Sequence, residues 1–242
     1  MTHVLARGRL FPLAFASIVL TSLARSRCTE GANLVDRSVL DGNAPSWPVR
    51  DRPAAWRRPR APFAPPPAFG APWRGYIGSL PQDNGPGDAW PEWFAERRLL
   101  PYLRQSVDRG ALTDPDMAVV ERLLARIDRY GHPAEPPARV HGDLWPGNLL
   151  WAADGEVWLI DPAAHGGHRE TDLAQLALFG GAPYLDRILA AYDEAWPLAD
   201  GWRERIPLHQ LHLLLVHAAL FGTTYRDAVV GAASAALLAL GT

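Results

Sequence analysis

Two short apolar runs, Leu149-Leu150-Trp151 and Val157-Trp158-Leu159-Ile160, flank Asp154-Gly155. That pattern predicts an antiparallel hairpin with the Asp-Gly pair at its turn. A hairpin brings its open ends together, and here both ends are polar. Asn148 enters the first strand, and Asp161, thirteen residues later, leaves the second. An amide oxygen beside a carboxylate is a hard-oxygen pair suited to Mg²⁺, which keeps several waters and takes further ligands from substrate phosphates. Asp143 stands five residues before Asn148, in His141-Gly142-Asp143-Leu144-Trp145-Pro146-Gly147-Asn148.

An Asp followed five residues later by an Asn matches the spacing of the kinase catalytic loop. There the Asp accepts a hydroxyl proton and the Asn holds a metal. Gly142 stands in place of the usual Arg, and Asp161 is followed by Pro162-Ala163 rather than Phe-Gly. The bland alternative is a turn-rich hairpin whose Asp and Asn residues only cap turns. The Asp, the Asn, the hairpin and the closing Asp taken together favour the kinase-like reading.

The chain has 242 residues, room for one large domain or two small ones. A hydrophobic content of 48% supplies a core, and a net charge of −2 argues against a bulk nucleic-acid or membrane-surface binder. The single cysteine, Cys28, excludes an internal disulfide. All 24 basic residues are arginine. Residues 1–67 read differently from 68–242. Arg7 and Arg9 precede an apolar run from Leu10 to Leu23, the outline of a secretory signal that is too short and broken for a membrane span. From Asp41 to Pro67 the chain is rich in Arg, Pro and Ala and keeps no period of 2 or 3.6. This segment is expected to be poorly ordered or non-homologous, either a linker or a misread or truncated start.

From 68 onward the pattern is mainly helical. Tyr76 to Gly85 reads as a loop with two turn signals. A helix is expected from Trp90 to Arg104, kinked or split by Pro101. Another is expected from Asp114 to Tyr130, with Asp114 as N-cap and Gly131 and Pro133 ending it. After the hairpin, His165 to Arg169 reads as a loop passing into a helix at Asp172, with the Gly166-Gly167 and Gly180-Gly181 pairs as turns. Helices follow from Tyr184 to Trp196, Pro207 to Phe221 and Asp227 to Leu240. His165, His168 and Asp172 lack the spacing of a zinc site, so a loop reading is preferred. His209, His212 and His217 read as helix packing. Asp172 opens its helix just after the hairpin, where a carboxylate can cap that helix or accept backbone N–H groups of the catalytic loop.

Several stretches resemble the C-terminal lobe of the fructosamine kinase (ketosamine-3-kinase) family, within the aminoglycoside-phosphotransferase and protein-kinase-like superfamily. They are Tyr76-Ile77-Gly78-Ser79-Leu80-Pro81-Gln82 with Asn84-Gly85, Glu96-Arg97-Arg98-Leu99-Leu100 and His141-Gly142-Asp143-Leu144-Trp145. Gly147-Asn148, Ile160-Asp161-Pro162-Ala163, Arg169-Glu170, Asp172-Leu173-Ala174 and Leu178-Phe179-Gly180-Gly181 continue the likeness. Pro146 departs from an expected Ser. The resemblance implies an α+β fold: a kinase-like C-terminal lobe, mainly helical, with a small β-hairpin at the metal site. It implies Asp143 as catalytic base, Asn148 and Asp161 as Mg²⁺ ligands, His141 and Asp172 as supports of the catalytic loop, and Trp145 and Glu170 as shapers of the sugar site.

The implied reaction is ATP-dependent phosphorylation of a ketosamine on a small-molecule or protein amine. The product sheds its amine, so the outcome is deglycation. No nucleic-acid or membrane partner is implied, and a need for ATP places the chemistry in the cytoplasm. Kinase-like enzymes hold ATP under a β-rich N-terminal lobe with a phosphate-pairing lysine. Residues 1–67 show neither its strand pattern nor its glycine loop, so that lobe is expected to be absent or degenerate and the chain truncated, with little activity. Two other readings stay open: a non-catalytic remnant that binds a sugar or amine, and an aminoglycoside-type phosphotransferase.

Overall fold

A computed structural model describes residues 66–130, 135–151 and 157–241. The expectations for residues 1–65, for the Asp154-Gly155 turn and for Gly131 and Pro133 lie outside these. Helix dominates the described residues, with three two-stranded antiparallel sheets. The α+β expectation of one hairpin is therefore too lean. Gly75–Ile77 (β1) and Leu80–Gln82 (β2) pair across Gly78-Ser79. The stretch read as a loop is thus a second hairpin. Leu149–Trp151 (β4) and Val157–Leu159 (β5) pair with Leu149 opposite Leu159, as the apolar runs predict.

The third sheet corrects another expectation. His165–Gly167 (β6) is a strand, not a loop, and pairs with Ala138–Val140 (β3). Gly166 also exchanges two backbone hydrogen bonds with Gly70, at 2.7 and 2.8 Å. A Cβ on Gly166 would meet the Ala68 carbonyl at 2.3 Å. Gly166 is there for close backbone approach and Gly167 for contact with the Val140 side chain, where the sequence carries a turn signal. The sheet sits directly behind the loop that begins at His141.

The helices form the body. Trp90–Phe94 (α1) continues through one π-helical stretch, Ala95–Leu99, into Leu100–Asp108 (α2). Pro101 accounts for the irregularity, since it cannot donate an N–H to the Arg97 carbonyl. That carbonyl accepts from the Arg98 guanidinium instead, at 3.2 Å. Asp114–Leu124 (α3), Glu170–Gln175 (α4), Leu185–Ala195 (α5), Trp202–Phe221 (α6) and Arg226–Ala239 (α7) complete the set. α6 starts a turn earlier than its sequence pattern suggests and carries Pro207 within it. Leu208, Leu211, Leu213, Leu214, Leu215 and Val216 are all buried, so α6 is apolar all round and forms the central core helix. It packs against α2, α4 and α7. Its length and composition would suit a membrane span, yet it is interior to this fold.

The N-cap of α3 is Thr113 rather than Asp114. Asp116 accepts the Thr113 N–H at 2.8 Å and the Thr113 hydroxyl at 2.7 Å, closing a capping box. The same carboxylate receives Arg226 from α7 at 2.7 Å, which ties the two helices together. Removal of one such cap costs about 1 kcal/mol. Asp116→Ala should therefore lower stability by about that amount in urea titrations. Arg226→Ala, which loses only a solvent-screened ion pair, should shift the midpoint by less. Equal shifts would mean the interhelical pair, not the cap, dominates.

Candidate active site

The loop leaving β3 has a partner for each backbone N–H from residue 141 to 144. Asp172, on the first turn of α4, accepts from His141 at 2.7 Å and from Gly142 at 2.9 Å. Gln175, one turn further along α4, accepts from Leu144 at 2.8 Å. The N–H of Asp143 points to His141 Nδ1 at 3.3 Å. His141 Nδ1 is thus an acceptor, so its Nε2 carries the proton and donates to the Ile160 carbonyl at 2.9 Å. Burial lowers the His141 pKa to about 4, which keeps the ring neutral. Through this ring the loop is joined to the residue before Asp161.

Gly142 lies in the left-handed region at φ +80°. A Cβ there would meet the Ala163 carbonyl at 2.5 Å. An arginine, usual at this position in kinase loops, has no place here. The loop after β3 instead rests directly on the loop that carries Asp161.

Asp143 is partly buried, and its carboxyl is pushed up to about 6, mainly by desolvation. A hydrogen bond from Asn148 works against that shift, and the charge of Asp161 adds to it. The Asn148 amide nitrogen donates to the Asp143 carbonyl at 2.7 Å and to its carboxylate at 3.1 Å. Those bonds fix the amide orientation and turn Oδ1 away from Asp143. The Ile160 N–H donates to the Asn148 carbonyl at 3.1 Å, so the hairpin closes as its register requires. Asp161 follows with φ +52°, a left-handed backbone that Asp tolerates better than most residues. Its carboxylate is exposed. The Asp143 and Asp161 carboxylates are close enough to repel, and with the Asn148 amide oxygen they are hard-oxygen donors of the kind a divalent cation takes.

Trp145 is partly buried and stands edge-on to Phe179, with ring centroids 5.6 Å apart. His217 of α6 lies against both rings, at 6.3 Å from Trp145 and 4.7 Å from Phe179. Glu170 requires a correction. It is 2% exposed, and Arg205 occupies both of its oxygens at 2.6 and 2.8 Å. It is part of the interior rather than a sugar-facing group. His168, Glu170 and His209 bring their donor atoms within 4.8 Å of one another. Arg205 already neutralises that cluster, and a second cation there would face the guanidinium, so we assign it no metal.

Three residues at the site had no role in the sequence reading. Gln175 shares a helix face with Asp172 at i+3, a spacing that α4 makes legible. Gln82 and His165 both donate to the Ala163 carbonyl, at 3.2 and 2.8 Å, and no local pattern announces that meeting.

Comparisons with known proteins place the chain in a family. A family model for fructosamine kinase matches residues 62–238. A Thermobifida fusca protein of known structure, assigned as a fructosamine-3-kinase, is 61% identical, with a TM-score of 0.69. That match covers 72% of this chain and 60% of the other. A Thermus thermophilus protein assigned as a ketoamine kinase is 37% identical over 162 residues, covering 66% of this chain and 58% of its own. A Haemophilus somnus structure, 24% identical with a TM-score of 0.63, shares the fold. The chain thus spans under two thirds of the length of these relatives.

The Glu170–Arg205 pair sets a test of stability. Burial alone would raise the Glu170 carboxyl, but the Arg205 fork and then His209 hold it well below the usual range. A depressed carboxyl contributes stability above its unfolded pKa of roughly 4.5 and loses it as pH falls below that. Glu170→Gln, which leaves Arg205 buried without its counter-charge, should cost about 3 kcal/mol at pH 7. It should also flatten the loss of stability between pH 5 and about 3. Urea midpoints across that window measure both effects. A mutant as acid-sensitive as the parent would remove Glu170 from the account.

Proposed function

Because the chain belongs to the fructosamine kinase family, we propose that it serves ATP-dependent phosphorylation of a ketosamine, a sugar carried on a small-molecule or protein amine. Loss of the phosphorylated sugar would then free the amine, in the cytoplasm where ATP is supplied. The observation that carries this reading is Asp143. It is a half-buried carboxylate on a loop whose backbone donors from 141 to 144 are held, with an Asn on one side and an exposed Asp beyond it. A base for a sugar hydroxyl needs that combination of fixed position and raised proton affinity.

In the proposed reaction the acceptor hydroxyl lies against the Asp143 carboxylate and gives up its proton there. Its oxygen forms the bond to the γ-phosphorus as the bond to the β-phosphate oxygen breaks, and ADP leaves. The Asn148 amide nitrogen keeps the Asp143 carboxylate in one orientation. Asn148 Oδ1 and the Asp161 carboxylate are the groups that would hold Mg²⁺. When bound, the ion neutralises charge on the transferring phosphoryl group. Trp145, two residues past Asp143, and Phe179, whose ring meets it edge-on, would offer the sugar an apolar wall. An apolar ring face suits the C–H face of a sugar.

The 242 residues contain no lysine. No side chain of this polypeptide reproduces the compact ammonium that pairs with nucleotide phosphates in kinase sites, and an arginine sits on phosphate differently. The same fact favours a second reading of this polypeptide on its own, a ketosamine-binding domain with little turnover. The two are separated by assay. With Mg-ATP and a fructosamine, the 242-residue chain should turn over far below the 1–100 per second range of ordinary kinases. Fused to the portion of the Thermobifida fusca relative that it does not match, it should enter that range. Asp143→Asn in the fusion should lower kcat by about 10²- to 10⁴-fold. Ordinary turnover by the chain alone would refute the need for an added clamp. A folded fusion that still fails to phosphorylate would refute the kinase reading.

A further inference from the structure

Arg98 is fully buried, and every hydrogen bond it donates goes to a neutral group, while the Asp83 carboxylate attracts it without a direct bond. Its guanidinium donates to the Asp83 carbonyl at 2.5 Å and to the Asn84 side-chain oxygen at 2.7 Å. It also lies 4.3 Å over the ring of Trp93. A buried charge with no directly bonded counter-ion is costly, so its position calls for a reason. The reason is visible one step further on. Asn84 Oδ1 also accepts from the Gln82 amide at 3.3 Å, and that amide donates in turn to the Ala163 carbonyl at 3.2 Å. By a second route, Arg98 Nε approaches His165 Nε2 at 3.4 Å, and His165 Nδ1 donates to the same carbonyl at 2.8 Å. Both branches therefore converge on one atom. That atom lies two residues past Asp161, and Gly142 packs against it from the catalytic loop with no room for a side chain.

We propose that Gln82, with Asn84, Arg98 and His165 behind it, is a positioning network that fixes the distance between the Asp143 loop and the Asp161 loop. The proposal rests on the reading of Asp143 as base and Asp161 as metal ligand. The network enters from the first hairpin and from the π-helical stretch, elements that contain none of the proposed base and metal ligands. The π stretch has a purpose in this account. The irregular turn forced by Pro101 sets Arg98 on the inner face, where it reaches Asn84 and His165 at once. π-turns are found at functional sites more often than chance allows. Burial lowers the Arg98 pKa only to about 9, so the guanidinium stays charged at neutral pH and its hydrogen bonds remain strong. Asp161, in its left-handed backbone, is the residue most in need of such support.

The test variant is Gln82→Met, nearly isosteric and lacking only the amide. Amide hydrogen exchange of the full chain is compared in three regions: 141–145, 160–166 and the core of α6, 211–216. Exchange in the first two should rise at least tenfold, and exchange in α6 should not change. In parallel, Mn²⁺ affinity read by electron paramagnetic resonance should weaken about tenfold, as when a metal ligand loses an outer support, with the urea midpoint unmoved. Loops that exchange as in the parent would overturn the proposal, and so would a rise shared equally by α6. Asp161→Asn separates the proposal from the reading beneath it. If that variant binds Mn²⁺ as the parent does, the metal assignment fails, while the exchange pattern still decides the role of Gln82.

Discussion

The carboxylate of Asp172 receives two backbone N–H groups from the loop in front of it, those of His141 and Gly142. Short bonds to an ionised acceptor are among the stronger single contacts a loop can have. Burial works against them by raising the Asp172 carboxyl to about 6, yet the group remains largely ionised at neutral pH. Everything on the catalytic face follows from this attachment. With residues 141 and 142 held, His141 reaches Ile160, Asn148 reaches Asp143, and the hairpin closes between them. The helix that carries Asp172 also carries Gln175, and both lie against the core through α6. The rigidity of the loop is therefore borrowed from the most buried helix of the molecule.

Charge is placed economically in this interior. The buried acids Glu170 and Asp172 take different partners for different ends. Glu170 faces Arg205 and serves the packing of α4 on α6, whereas Asp172 faces backbone and serves the loop. Arg98 is the reverse case, a buried cation satisfied by carbonyl and amide oxygens. Each arrangement satisfies a charge by geometry and does not exclude it. Asp172 and Arg98 also tie elements distant in sequence to residues within a few positions of Asp143 or Asp161.

Much of this was legible in the chain. The hairpin, its polar ends and the Asp143–Asn148 spacing come from local periodicity and turn chemistry, which act over a dozen residues or fewer. Asp172 could be read because a carboxylate opening a helix has few uses. What escaped reading was set by contacts between distant segments. Gly166-Gly167 carries the signature of a turn, yet the backbone of Ala68 to Gly70 lies against Gly166 and leaves no room for a Cβ. Glu170 shares a motif with Asp172, but α6 presents Arg205 to it, and no local pattern in residues 165–176 foretells that. Asp114, followed by a proline, makes a stronger local cap signal than Thr113, and only the bond to Asp116 shows where α3 begins.

The proposed function requires one divalent cation between Asn148 Oδ1 and the Asp161 carboxylate, in reach of an acceptor hydroxyl at Asp143. Crystals of the chain soaked in Mn²⁺ and recorded at the manganese edge test it most directly. The account predicts one anomalous peak in contact with both side chains, lost in Asp161→Asn crystals of the same form. A peak elsewhere, with Asn148 and Asp161 left unligated, would contradict it.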